Sequence, residues 1–114
     1  MANTFLSETQ IGVGTASVTI LTCPASTQTT IIGLSVANTV TSQIKVSVQL
    51  QAHFRTSGAE DNVYLVKDAP VPVGGALVVV GGDQKVVMEP GDKITVVSDT
   101  ASSADVVLSH LDIT

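Results

Sequence analysis

The chain has 114 residues, enough for one domain with a buried core. Its hydrophobic content of 44% excludes intrinsic disorder, and its charged content of 13% is about half the usual share. The net charge is −5, and Lys45, Arg55, Lys67, Lys85 and Lys93 stand apart from one another, which argues against nucleic acid and against an anionic membrane surface as partners.

The N-terminal stretch MANTFLSETQ has no basic region followed by a long apolar run, so no signal peptide is expected. The first predicted strand runs from Phe5 to Val13 and ends near Gly12 and Gly14. Ala16 to Thr22 follows, with Val18 and Ile20 on one face and Ser17 and Thr19 on the other, and Pro24 closes it. Thr30 to Ala37 is the third strand. Gln43 to Arg55 is the clearest: Ile44, Val46, Val48, Leu50, Ala52 and Phe54 alternate with polar residues, giving one dry and one wet face. Val63 to Lys67 resumes a strand after the polar turn SGAEDN. Asp68 to Gly75 contains Pro70 and Pro72 and reads as an edge or loop segment. Ala76 to Val80, Lys85 to Met88, Lys93 to Ser98 and Ala104 to Ile113 complete the series.

This pattern predicts a single all-β domain over residues 1–114. The expected architecture is an antiparallel two-sheet sandwich of jelly-roll or Greek-key type, with eight or nine strands and no substantial helix. The longest apolar run, Ala76 to Val80, has five residues, far too few to span a bilayer as a helix.

The stretch PVPVGGALVVVGGDQ invites comparison with a phosphate-binding loop. Its glycine spacing does not fit that motif, Asp83 stands where an anion would sit, and the flanking residues read as strand. Two tight turns bracketing one strand is the better account. A second turn is expected at EPGD, where Pro90 presets φ and Gly91 is free to take a positive value.

Catalytic chemistry finds few carriers. His53 falls on the polar face of the long strand and reads as a solvated side chain. His110, in LSHLD, reads as a structural, interface or pH-sensitive residue. Cys23 is the single cysteine, so no intramolecular disulfide is available; a buried small hydrophobe is a better reading than a nucleophile. The acids are scattered, mostly at turns. Glu60, Asp61 and Asp68 could supply oxygens to calcium, although the spacing of a helix-loop-helix calcium site is absent. Three aromatic residues are too few to furnish the platforms of a sugar cleft. No catalytic residue, cofactor or resident metal is therefore assigned.

The apolar residues point instead to assembly. Leu77 to Val80, Val86 to Met88 and Val106 to Leu108 are apolar on both strand faces, whereas a small sandwich has one interior. Covering by sister molecules explains this economically. The residues expected at subunit contacts are Leu77, Val79, Val87, Val107 and Leu111.

The segments YLVKDAPVPVGG, GGDQKVVMEPGD and SSADVVLSHLDIT, with IIGLSVANT before them, resemble small virion structural proteins of tailed bacteriophages. The resemblance covers most of the chain after Ile31. It implies a non-enzymatic all-β module that decorates or cements the capsid as a homo-oligomer, a trimer being favoured, and contacts the major capsid protein. A neck, tail or fibre adaptor is the alternative within the virion, and a carbohydrate-binding adhesion module is the alternative outside that class. Assembly in a bacterial host cytoplasm is the expected setting.

Overall fold

The computed structural model describes residues 3–52, 62–81 and 84–114. The strands are β1 (Asn3–Val13), β2 (Val18–Thr22), β3 (Gln28–Asn38), β4 (Ile44–Gln51), β5 (Val63–Val71), β6 (Ala76–Val80), β7 (Val86–Met88), β8 (Lys93–Ser98) and β9 (Ala104–Ile113). There is no helix among the described residues.

The strands form two antiparallel sheets. The first has the order β1-β9-β3-β6, with β7 also paired to β3; the second has the order β2-β8-β4-β5. Chain neighbours mostly lie in opposite sheets, which is the interleaving of two Greek keys in a jelly roll. The expected all-β sandwich is the observed fold.

Strand β4 shows why the sheets stack. Ile44, Val46, Val48 and Leu50 are buried, while the residues between them are not. They meet Ile94 and Val96 of β8 in their own sheet. Ile31, Leu34 and Val36 of β3, with Val106 and Leu108 of β9, complete the core from the first sheet. Each such side chain contributes about 1.5–3 kcal/mol on full burial.

The punctuation residues behave as their chemistry requires. The Gly75 amide donates to the Pro72 carbonyl at 3.0 Å, and Gly74 has φ +73°, a turn that needs glycine at its third position. The Asp92 amide donates to the Glu89 carbonyl at 3.0 Å across Pro90 and Gly91, and Gly91 has φ +89°. After β6, the Gln84 amide donates to the Gly81 carbonyl at 3.2 Å; residues 82 and 83, where the second expected turn falls, lie outside the described ones. Two boundaries move from expectation. Strand β5 runs on to Val71 despite Pro70, because β5 is a sheet edge and that proline faces no missing partner. The fourth strand is described to Gln51; the expected extension to Arg55 enters residues 53–61, outside the described ones.

Candidate functional site: the outer face of the first sheet

Register places the outward residues of the first sheet in rows. Phe5, Leu111, Thr30 and Val87 lie in one row across β1, β9, β3 and β7. Thr9, Val107, Ser35 and Val78 lie in another across β1, β9, β3 and β6. Between them lie Ser7, Ser109 and Gly33. Phe5 is 73% exposed, Val78 66%, Val87 56% and Val107 43%. Ile11, 79% exposed, stands at the rim. Thr9, Ile11, Ser35, Ala37, Asp105 and Val107 border a groove of about 450 Å³.

Beyond these rows, Asp105 lies opposite Ala37 as the one ionisable strand side chain described on this face, and its Oδ1 accepts the Gly12 amide at 3.1 Å. The outer face of the second sheet differs. Lys45, Ser47, Gln49 and Gln51 of β4 point outward there, with Lys93 and Thr95 of β8 beside Gln51 and Gln49. Gln51 Nε2 donates to Gln49 Oε1 at 3.1 Å, and the Lys67 ammonium lies 5.3 Å from the Tyr64 ring centre. The first outer face is thus apolar and hydroxylic with one carboxylate; the second is mostly polar and charged, with Tyr64 beside Gln49 and Val97 beside Ser47. Exposed apolar patches of this kind mark surfaces that meet something else.

Three of the five expected contact residues, Val87, Val107 and Leu111, lie on the outer face of the first sheet. Leu77 and Val79 do not, and the expectation is corrected there. Leu77 sits opposite the fully buried Val36 and packs against the core. The register of β6 on β3 slips between Leu34 and Ser35, so Val79 occupies a bulge. The bulge turns both Val79 and Val80 inward, at 8% and 1% exposure. Strict alternation would have sent Val79 inward and Val80 outward, so the apolar run of β6 covers less of the outer surface than its composition suggests. Phe5, Ile11 and Val78 were missed. The signal for Phe5 and Ile11 was their odd spacing in β1, which matches the outward set.

The ionisable residues that could carry chemistry gather elsewhere, on the inner side near the β1 end of the first sheet. His110 is 1% exposed. Its Nδ1 lies 2.8 Å from Asp112 Oδ1 and its Nε2 3.0 Å from Glu8 Oε2. Thr29 Oγ1 donates to the same Asp112 oxygen at 2.8 Å. The Cys23 thiol donates toward Thr29 Oγ1 at 3.4 Å and the Thr27 carbonyl at 3.3 Å. Burial pushes the Cys23 thiol above its usual value, and the Asp112 and Asp92 charges add to that, while the Thr29 hydrogen bond opposes it. Cys23 therefore stays protonated and has no base against it. Both His110 nitrogens are occupied by carboxylates, so neither is turned to a substrate.

His53, Glu60, Asp61 and Asp83 lie outside the described residues. Among the described residues no group of three or more His, Cys, Asp or Glu is arranged to hold a metal ion.

No family model matches the chain, and no curated protein sequence matches it. A solved structure reported under the words "Bacillus endospore appendages form a novel family of disulfide-linked pili" is similar in fold, with a TM-score of 0.56. The likeness covers 99% of this chain and 87% of that one at 11% sequence identity, and at that identity it speaks to the sandwich fold alone.

Proposed function

We propose that this chain is a non-enzymatic structural subunit of a tailed-bacteriophage particle. In this reading it is a capsid decoration or cement protein that associates with its own copies, as a trimer, and with the major capsid protein. The observation that carries the reading is the contrast between the two outer faces. The first sheet presents Phe5, Val78, Val87 and Val107 with one ionisable residue among them, while the second presents lysines and glutamines. An apolar face is stabilised by being covered, at about 25 cal/mol per Å² removed from water. The work of such a protein is binding: it adds buried area across joints between neighbouring shell subunits. The geometry around Cys23 and His110, a protonated thiol without a base and an imidazole capped at both nitrogens, supports a structural rather than a catalytic reading.

Quantitative proteomics of purified particles tests this directly. Hundreds of copies per virion support the decoration role, a few copies in a ring support the neck or tail adaptor, and absence from the particle overturns both. A glycan array addresses the adhesion-module reading.

The apolar outer face admits one further reading, a subunit of a fibre built from copies of this chain. Linkage by disulfides, as stated for the fold-similar appendage pili, is a poor match here: Cys23 is the one cysteine and is 1% exposed. A fibre of this chain would have to be held by its sheet surfaces. Electron microscopy of the purified protein at rising concentration separates filaments from closed oligomers.

A further inference from the structure

We propose that Glu8, His110 and Asp112 form a protonation-dependent clamp that fastens the edge strand β1 to β9. An ionised carboxylate can only accept a hydrogen bond. His110 meets such an oxygen at each ring nitrogen, at 2.8 Å and 3.0 Å, so both contacts are made together only when both nitrogens carry hydrogen. The clamped form is the imidazolium between two carboxylates.

Sequence isolates this cation. Strands β1, β3 and β9 contain no lysine or arginine, so the imidazolium is the one positive charge those three strands can place between Glu8 and Asp112. The neighbouring strands bring Leu6 of β1 and Ile31 of β3 opposite His110, both uncharged. The other ionisable groups nearby are the Cys23 thiol, reached through Thr29, and Asp92 beyond it. Neither supplies a positive charge.

The two arms of the clamp are unequal. Asp112 is 13% exposed and also accepts from Thr29, which keeps it in place whatever the ring does. Glu8 is 39% exposed and stands on an edge strand. When the ring loses one proton, one carboxylate faces a lone pair, and Glu8 is the arm that swings out to water. Loss of one ring proton therefore opens the clamp on the β1 side.

Strand β1 depends on this contact more than its length suggests. Of its eleven residues Val13 alone is buried, and the others are exposed or half-exposed. It pairs with β9 on one side and, among the described residues, has no strand on the other. Residues 3–10 are held by the β9 ladder and by Glu8, with little core behind them. Opening the clamp loosens this segment locally and leaves the rest of the sandwich intact.

Amide exchange of the intact protein tests the clamp. After correction for the intrinsic effect of pH, protection of residues 3–10 is expected to fall about tenfold as rising pH takes one proton from the His110 ring, the cost of one charge-assisted hydrogen bond. The amides of β4 serve as the internal control and should not move. In Glu8→Gln the carboxamide can accept from a protonated nitrogen or donate to a bare one, so protection of β1 should become flat with pH. Nitrogen NMR of the His110 ring supplies a reading in the unaltered protein: loss of one ring proton must coincide with the loss of β1 protection. A flat profile in the unaltered protein, a slope that survives Glu8→Gln, or β1 release at a pH where the ring does not change would each overturn the proposal.

Discussion

Asn38 and Val71 join the two sheets by a hydrogen bond: Asn38 Nδ2 donates to the Val71 carbonyl at 3.0 Å. Asn38 ends β3 in the first sheet and Val71 ends β5 in the second. The same amide nitrogen donates to the Ser42 carbonyl at 2.8 Å, and Oδ1 accepts the Val40 amide at 2.9 Å. A 7% exposed side chain thus uses both its donor and acceptor ends. Replacing it with alanine should lower stability by about 2 kcal/mol, because buried carbonyls and an amide lose partners. Asn38→Asp should be worse at neutral pH, since a carboxylate would face two carbonyl oxygens, and should recover part of the loss in mild acid once it can donate. Urea denaturation of the two variants at two pH values checks the order.

Val78 and Val79 are adjacent yet belong to different surfaces. Val78→Lys should leave the unfolding midpoint within about 0.5 kcal/mol of the original, as expected of an exposed position. Val79→Asp should prevent folding, and Val79→Ala should cost about 1–3 kcal/mol through lost packing. Circular dichroism and urea melts distinguish them; equal sensitivity at the two positions would contradict their opposite facing.

Val107→Glu and Val87→Glu place a charge in the middle of the apolar face. Both variants should keep the fold and lower the mass of the assembled species in light scattering at micromolar concentration. If the unaltered protein is already monomeric there, self-association through this face is excluded.

Cys23 should react slowly with thiol reagents in the native state and at the rate of opening in denaturant, because the thiol is buried and held protonated. The linkage has a definite sign. A thiol whose ionisation is raised on folding favours the folded state fully below the ordinary value of 9.0 and loses that contribution as the pH rises past it. Stability should therefore decline above about pH 9, and Cys23→Ala should lessen the slope.

Gly91 tests the turn between β7 and β8. With φ +89°, an alanine there is strained, and Gly91→Ala should cost about 1 kcal/mol or more in a thermal melt.

The alternation in β4, the Pro-Gly turns and the spacing of the strands made the sandwich readable from the residues. Ala104 to Ile113 was delimited to the residue, because a turn precedes it and alternation fills it. The candidate contact surface was legible only where alternation holds, at Val87, Val107 and Leu111. It failed at Leu77 and Val79, since an apolar run gives no sign of which face is inward, and the bulge that turns Val80 inward as well leaves no mark there. His110 and Asp112 are two apart on one strand and so share a face, but their contact was not among the expectations. Glu8 could not be foreseen: it is 102 positions away from His110, brought there by the pairing of the first strand with the last.

That same pairing constrains synthesis. Strand β9 lies between β1 and β3, and it supplies the neighbours for both. While a ribosome still holds residues 104–113, β1 and β3 have a gap where their common partner belongs. The first sheet cannot close in chain order; it must wait until β9 has emerged. Assembly dominated by such distant pairings runs on the order of milliseconds to seconds, so nascent chains would spend that interval with β-branched ribbons bare, and slower elongation would not shorten it.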